Sequence, residues 1–224
     1  MSKGSFCINS CATEDYLPLL SNFYTSLRNF HNDIFFVIYL INCPKINCFQ
    51  NLNDDRLIIH YIEKQFDNKE QARAFAVNIR IEMLKDAWGK YDYFYWMDAD
   101  TIIRKPIDDL HKFDNIRIMS RKHKNINMRY VGGICGFRSS EIAKYVIWNW
   151  YNDVFKLDYK NWSWWMDQRL LGVYVDKLNK TDWSELPATY TDWDFNANSH
   201  IWNGKGPRKK KEKFKNFIIN NATD

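Results

Sequence analysis

The segment Tyr93–Pro106, YFYWMDADTIIRKP, constrains this chain more than any other stretch. Five apolar or aromatic residues run directly into Asp98 and Asp100. Such a run predicts a buried strand whose end delivers two carboxylates to one place. Residues two apart share a face of an extended chain, and at a turn they can converge on one ion. Two like charges held side by side out of water are costly without a counterion. Hard divalent cations such as Mg²⁺ and Mn²⁺ take oxygen ligands and commonly bridge carboxylates to phosphates. The competing expectation is an exposed turn with two solvated aspartates, because D-x-D by itself recurs by chance. The apolar run before the pair favours the buried site.

The rest of the pattern places that strand in an α/β domain. Phe6–Ile8 reads as a short buried strand, Asp15–Phe30 as a helix, Ile34–Ile41 as a strand covered on both faces, and Leu57–Ile62 as another strand. Lys69–Trp88 reads as one long helix with two apolar stripes, the second formed by Arg73, Val77, Arg80 and Leu84. Strands follow at Ile116–Ser120 and Tyr130–Phe137, an aromatic-rich helix at Ser140–Phe155, and a short helix or a turn into a strand at Asp167–Val175. Strands alternating with helices over the first 100 residues or so predict a mostly parallel central sheet flanked by helices. Ligands of such sheets bind beyond the carboxyl ends of the strands.

The length of 224 residues suits a single domain, with a nucleotide-binding half at about 1–110, an acceptor-side half at about 111–207 and a basic segment at 208–224. The net charge is +5. Residues 208–215 carry that whole excess, so the remainder balances to zero and no basic face is left for nucleic acid. The basic segment fits a diphosphate, an acidic membrane surface, an acidic acceptor or simply a solvated helix end. The aromatic fraction of 17% is high. Some of these rings fill the core and others suit a sugar cleft, where the apolar face of a pyranose meets an aromatic plane. Five cysteines without metal-ligand spacing fit reduced, buried thiols. No apolar run approaches the roughly 18–20 residues that span a bilayer, and no leader-like segment opens the chain. A soluble protein, or a domain cut from a longer one, is expected.

Three further segments carry chemistry. Ser199–Lys209 joins a single imidazole, His200, to a glycine-rich and then basic loop. His200 can add a metal ligand or be structural, Gly204 lets the backbone approach a diphosphate, and Lys205, Arg208 or Lys209 can neutralise phosphate. Trp164-Trp165-Met166-Asp167-Gln168 leads two aromatics into an acid. Asp167 is a general base, a holder of sugar hydroxyls, or an N-cap for the segment after it. Val131–Phe137 holds Gly132, Gly133 and Gly136, which admit a ligand near the backbone or mark a bulge.

Taken in order across roughly residues 5–210, these motifs resemble the GT-A glycosyltransferases, and most of all small virus-encoded members such as those of chlorella viruses. Asp98-Ala99-Asp100-Thr101 with Arg104–Ile107 resembles the family's metal motif. Arg73 in Gln71-Ala72-Arg73 is similar to its helical arginine near the nucleotide. Val131–Phe137, with Gly133, resembles its acceptor-side strand. Asp167-Gln168 resembles its pair over the donor sugar, and His200 through Gly204 its closing segment.

The resemblance implies a nucleotide-diphosphate donor, UDP-sugar first, with Mn²⁺ or Mg²⁺ held by Asp98, Asp100 and His200. It places Thr13 near the nucleoside, and Asp98, Arg73, Gln168, Gly204, Lys205 and Arg208 on the donor. It implies a glycan or glycoprotein acceptor, met by Gly133, Trp164, Trp165, Trp193 and Asp194. Asp167 is the expected base, with Asp194 as the alternative, and inversion is the favoured stereochemistry. The missing membrane anchor points to the cytoplasm, that of a host cell if the protein is viral. The rivals are a HAD-like phosphatase using the same D-x-D, and a non-catalytic carbohydrate-binding module.

Overall fold

The computed structural model describes residues 5–122 and 128–215, so the end of the predicted basic segment, from 216 on, lies outside the described residues. The elements are β1 (Phe6–Thr13), α1 (Leu17–Arg28), β2 (Phe35–Ile41), β3 (Leu57–Ile62), α2 (Lys69–Asn78), α3 (Arg80–Ala87), β4 (Tyr93–Met97), β5 (Thr101–Ile103), β6 (Ile116–Ser120), β7 (Tyr130–Arg138), α4 (Glu141–Phe155), α5 (Met166–Val175), β8 (Trp183–Glu185) and β9 (Ile201–Asn203).

Seven strands form one sheet in the order β3-β2-β1-β4-β7-β6-β8, and β5 pairs with β9 in a separate ribbon. Only β7 runs against its sheet neighbours, so the expected mostly parallel α/β sheet is what forms. β4 lies at its centre, parallel to β1 and antiparallel to β7. Its side chains alternate as the pleat requires. Phe94 and Trp96 pack into the layer of α2, α3, α4 and α5. Tyr95 and Met97 pack into the opposite layer with α1. Each large side chain removed from water in this way contributes roughly 1.5–3 kcal/mol.

Several boundaries differ from the sequence reading, each for a local reason. β1 continues to Thr13, because its polar Asn9 and Ser10 are buried within the sheet and Asn9 donates to the carbonyl of Tyr95 at 3.1 Å. The helix expected from Asp15 starts at Leu17, with Pro18 in its first turn, where the missing N–H removes no helix bond. The helix expected over Lys69–Trp88 is divided at Ile79 into α2 and α3. Asp167–Val175 is helical. The three-residue strands β5, β8 and β9 are too short to show a period in the sequence. Among the described residues no helix is long and apolar enough to cross a membrane. The cysteines are free, with Cys7, Cys11 and Cys135 buried, and burial pushes the Cys11 and Cys135 thiols up to about 12.

Gly136 on β7 lies directly under the ring of Tyr95, where a Cβ would overlap the ring carbons. That ring is fully buried, and its hydroxyl donates to the carbonyl of Leu110 at 2.8 Å, so it has nowhere to retreat. Gly136→Ala should therefore destabilise the fold by about 1–3 kcal/mol. The expected readout is a lower urea midpoint at unchanged slope.

Candidate functional site

β4 ends at the carboxyl edge of the sheet, and the turn after it carries both aspartates. The N–H of Asp98 donates to the carbonyl of Gly133 on β7 at 2.9 Å, and that of Thr101 returns to the carbonyl of Asp98 at 3.1 Å. Gly204, just after β9, donates to the carbonyl of Asp100 at 2.8 Å. The turn is thus clamped between the sheet and the β5–β9 ribbon. Gly133 packs closely on this turn: a Cβ there would stand 2.8 Å from Asp98 Oδ2 and would displace that carboxylate.

The Asp98 carboxylate is partly open and accepts from Trp96 Nε1 at 2.9 Å. Beneath it lies Arg80, almost wholly buried. Its Nη2 is 3.6 Å from Asp98 Oδ1 and its Nη1 is 3.2 Å from Asp167 Oδ2. It also donates to the carbonyls of Val77, at 2.6 Å, and Gly132, and its guanidinium lies 4.8 Å from the Trp96 ring centre. Burial alone would lower the Arg80 pKa, but Asp167 and Asp98 outweigh it and hold the guanidinium charged. Burial pushes the Asp167 carboxyl upward, and Arg80 opposes the shift. Asp167 therefore faces Arg80 and does not cap its helix, whose N-cap is Trp165.

Asp100 is buried, and burial together with the charge of Asp98 raises its pKa to about 6, against Lys209 and Lys205. Lys209 Nζ lies 3.7 Å from Asp100 Oδ2 and donates to the Tyr16 hydroxyl at 2.6 Å. Burial lowers the Lys205 pKa, and the charges of Asp98 and Asp167 counter it. Three carboxylates, a buried guanidinium and two ammonium groups thus share one edge of the sheet. Among the described residues no set of three or more acidic, histidine or cysteine side chains is arranged to hold a metal.

The structure brings together Asp98, Asp100, Asp167, Lys205 and Gly204, and it puts Thr13 at the end of the neighbouring parallel strand β1. Gln168 is buried and donates to the carbonyl of Met128 at 3.1 Å. Trp164 and Trp165 are exposed where α5 begins.

The expectations for Arg73 and His200 need correction, and Asp194 and Arg208 lie away from the aspartates. Arg73 is solvent-exposed on α2, and the arginine at the aspartates is Arg80, two turns further along the same predicted stripe. His200 does not join the aspartates. β9 runs antiparallel to β5, so His200 pairs with Arg104, roughly 13 Å along the strand from the Gly204 end. Its Nδ1 donates to the carbonyl of Pro106 at 2.7 Å and its ring stacks on Tyr190. The β9 residue beside Asp98 is Asn203, whose amide lies 3.8 Å from the Cβ position of Gly133. Asp194 is exposed. Its buried neighbour Asp192 organises that loop, accepting from the N–H groups of Asp194 and Asn196 and from the Ser199 hydroxyl. Arg208 lies over Trp193, at 5.4 Å, instead of at the aspartates.

Sequence reasoning missed Asn203, Arg121 and Tyr16. Asn203 ends the short strand β9 and Arg121 directly follows β6, and those strand-end positions were the available signal. For Tyr16, nothing in the sequence sets it apart from the other tyrosines.

No protein-family model matches the sequence, and no curated protein matches it. Solved structures do. The galactosyltransferase LgtC, solved with donor and acceptor sugar analogues, superposes with a TM-score of 0.66 at 14% identity, over 97% of this chain and 95% of that one. An active-site mutant of LgtC gives 0.68 at 13% identity, with the same coverage. The glycosyltransferase GlyE of Streptococcus pneumoniae TIGR4 gives 0.61 at 13% identity, over 99% of this chain and 61% of that one. The chain has the GT-A fold. In this GT-A chain the carboxyl edge of the sheet holds the cluster just described, as ligand sites of open α/β sheets do.

Two stability predictions follow from the charges. An aspartate whose folded-state pKa lies above its unfolded value keeps a proton that the unfolded chain has lost, so stability falls as pH rises between about 4 and 6. Asn at Asp100 removes that penalty. Asp100→Asn should be more stable than the parent by of order 2 kcal/mol at pH 7.5 without metal, and the difference should close by about pH 4. Denaturant titrations at both pH values check this. Arg80→Met strands the buried Asp167 charge and should destabilise by about 3–5 kcal/mol, and Arg80→Met/Asp167→Leu should recover part of the loss.

Proposed function

We propose that this chain is a glycosyltransferase that moves a hexosyl or deoxyhexosyl unit from a nucleotide-diphosphate sugar, UDP-sugar first, to a hydroxyl of a glycan or glycoprotein, assisted by Mn²⁺ or Mg²⁺. The observation that carries it is the Asp98–Asp100 pair, held at the end of the central strand of a GT-A fold and surrounded by Arg80, Lys205 and Lys209. The donor set fits such an ion. Two hard carboxylate oxygens are what Mg²⁺-type sites take from a protein when substrate phosphates complete the shell. When bound, the ion supplies positive charge against the departing diphosphate.

The protein's own groups divide the remaining work. Lys209 and Lys205 stand where the diphosphate would meet Asp98 and Asp100, and they neutralise its charge as the bond to the sugar breaks. Thr13 and Tyr16 lie on the β1 side, the place for the nucleoside. Asp167 and Gln168 face the transferred sugar. Asp167 is the assigned base: burial raises its affinity for a proton, as that role requires, and Arg80 opposes the shift. The active-site mutant of LgtC replaces a glutamine by glutamate, which supports a role for the buried glutamine here, Gln168. Trp164 and Trp165 offer exposed faces for an acceptor sugar. Inversion is the stereochemistry proposed, and the cytoplasm the compartment.

A panel of nucleotide sugars with Mn²⁺ tests this. One donor should raise the melting temperature by several degrees and undergo slow hydrolysis, both dependent on metal. Asp100→Ala should retain the native circular dichroism and lose both effects. Hydrolysis of a simple phosphate ester without nucleotide would instead mark a phosphatase. Sugar binding indifferent to metal and nucleotide would mark a binding module.

A further inference from the structure

Trp193 stands on the loop before β9, and three cations surround its ring. The Arg121 guanidinium lies 5.6 Å from the ring centre, Lys205 Nζ 5.8 Å and the Arg208 guanidinium 5.4 Å. They come from distant parts of the chain. Arg121 follows β6, Lys205 follows β9, and Arg208 opens the basic segment. Among the described residues none of the three has a carboxylate within ion-pair distance, whereas Lys209 next to them pairs with Asp100. They also disfavour one another: burial and then Arg208 lower the Arg121 pKa, and Arg121 is among the groups lowering that of Lys205. The Trp193 indole N–H is shielded from water and has no hydrogen-bond partner among the described residues. Lys205 is offset by Asp98 and Asp167, but Arg121 and Arg208 place two positive charges without an acidic partner among the described residues beside a spare donor, an arrangement that an anion would complete.

The position of the cluster separates this anion from the donor. Tyr16, Lys209 and Asp100 mark the donor's phosphates on the β1 side of β4. Arg121 stands at the end of β6, two strands to the other side of β4, which is about 10 Å at ordinary strand spacing. Beyond Arg121 a cavity of about 610 Å³ opens, with Lys122 and Lys180 in its lining. Both are exposed, and neither is ion-paired among the described residues. The carboxylate in its lining, Asp176, is paired with Arg129, so among the described residues Arg121, Lys122 and Lys180 are left as the cations without an acidic partner on this side.

We propose that the acceptor carries a negatively charged group, a phosphate or a carboxylate, and that Arg121 and Arg208 bind it beside Trp193. This deepens the glycosyltransferase reading and rests on it. The anion orients the acceptor by charge and by the indole N–H, while its attacking hydroxyl lies toward Asp167. Arg121 and Arg208 are positioning residues for specificity, and the transfer chemistry stays at the aspartates.

Thermal stabilisation of the full chain by glucose 6-phosphate and by glucuronate, against glucose at equal ionic strength, tests the proposal. UDP and Mn²⁺ are kept present, so that the donor's phosphate sites are filled. Both anionic sugars should raise the melting temperature by about 3 °C beyond glucose. Arg121→Gln should abolish that increment, and Arg208→Gln, at a half-exposed position, should do the same if the first variant folds poorly. Equal shifts with glucose and the anionic sugars would overturn the proposal. So would an increment that both variants keep, or one that appears only without UDP, since the cations would then belong to the donor's diphosphate. The two readings fail separately: no shift with UDP and Mn²⁺ themselves would remove the nucleotide-sugar assignment, whereas an anion increment lost in the variants would still establish the anion subsite.

Discussion

The buried guanidinium of Arg80 is the contact on which the rest of the site depends. It ties together three parts of the chain: the turn after β4 through Asp98, the first turn of α5 through Asp167, and the glycine stretch of β7 through the carbonyl of Gly132. A lysine there would offer a point charge without the fork, so it could not satisfy two carboxylates and two carbonyls at once. The environment makes the arrangement stringent. A Cβ at Gly132 would stand 3.0 Å from Arg80 Nη1. A buried ion pair of this kind is poor evidence of stability, since desolvation offsets much of the attraction. What it provides is position: it holds Asp98 at the cleft and Asp167 behind it.

Charge in the cleft is balanced with a ligand in mind. Asp100 is buried next to another carboxylate, and its pKa is raised because the protein alone compensates it incompletely. Lys209 and Lys205 sit nearby without neutralising it fully, and Arg121 and Arg208 have no acidic partner among the described residues. Burial moves the pKa of Asp100, Arg121 and Lys205 toward the neutral form, so each of these three charges is held at a cost. On the proposed function a divalent ion would satisfy the carboxylates and anionic substrate groups the cations, so that binding would relieve electrostatic strain present in the folded chain.

Much of the fold was legible in the sequence because it is written in periodicity. The apolar runs of β2 and β4 and the stripes of α1, α2 and α3 can be read from side-chain spacing alone. The aspartate pair was legible for the same reason, as the polar end of an apolar strand. Residues placed by tertiary pairing were not. Arg73 and Arg80 lie on one helical stripe, and nothing local says which of them faces the sheet once the helix divides at Ile79. His200 and Asn203 are three residues apart, and only the register of the three-residue ribbon β5–β9 decides which one reaches Asp98. Chemical reasoning favoured the imidazole, and the register selected the amide. Arg121 met no expectation at all, since its partners Trp193 and Arg208 are more than 70 residues away.

The fold survives at 13–14% identity to its structural counterparts because its constraints lie on pattern, not on residue identity. A buried strand position asks only for an apolar side chain of suitable size, and many substitutions meet that. The buried polar positions are different. Arg80, Asp100, Thr101, Asp167, Gln168 and Asn203 are all enclosed at the carboxyl edge of the sheet. A core would replace them with apolar residues at no loss of packing, since buried charge adds little stability even when it is paired. Their concentration at one edge, next to the centre of the sheet, exceeds what the fold alone asks for and is what a polar ligand site at that edge would require.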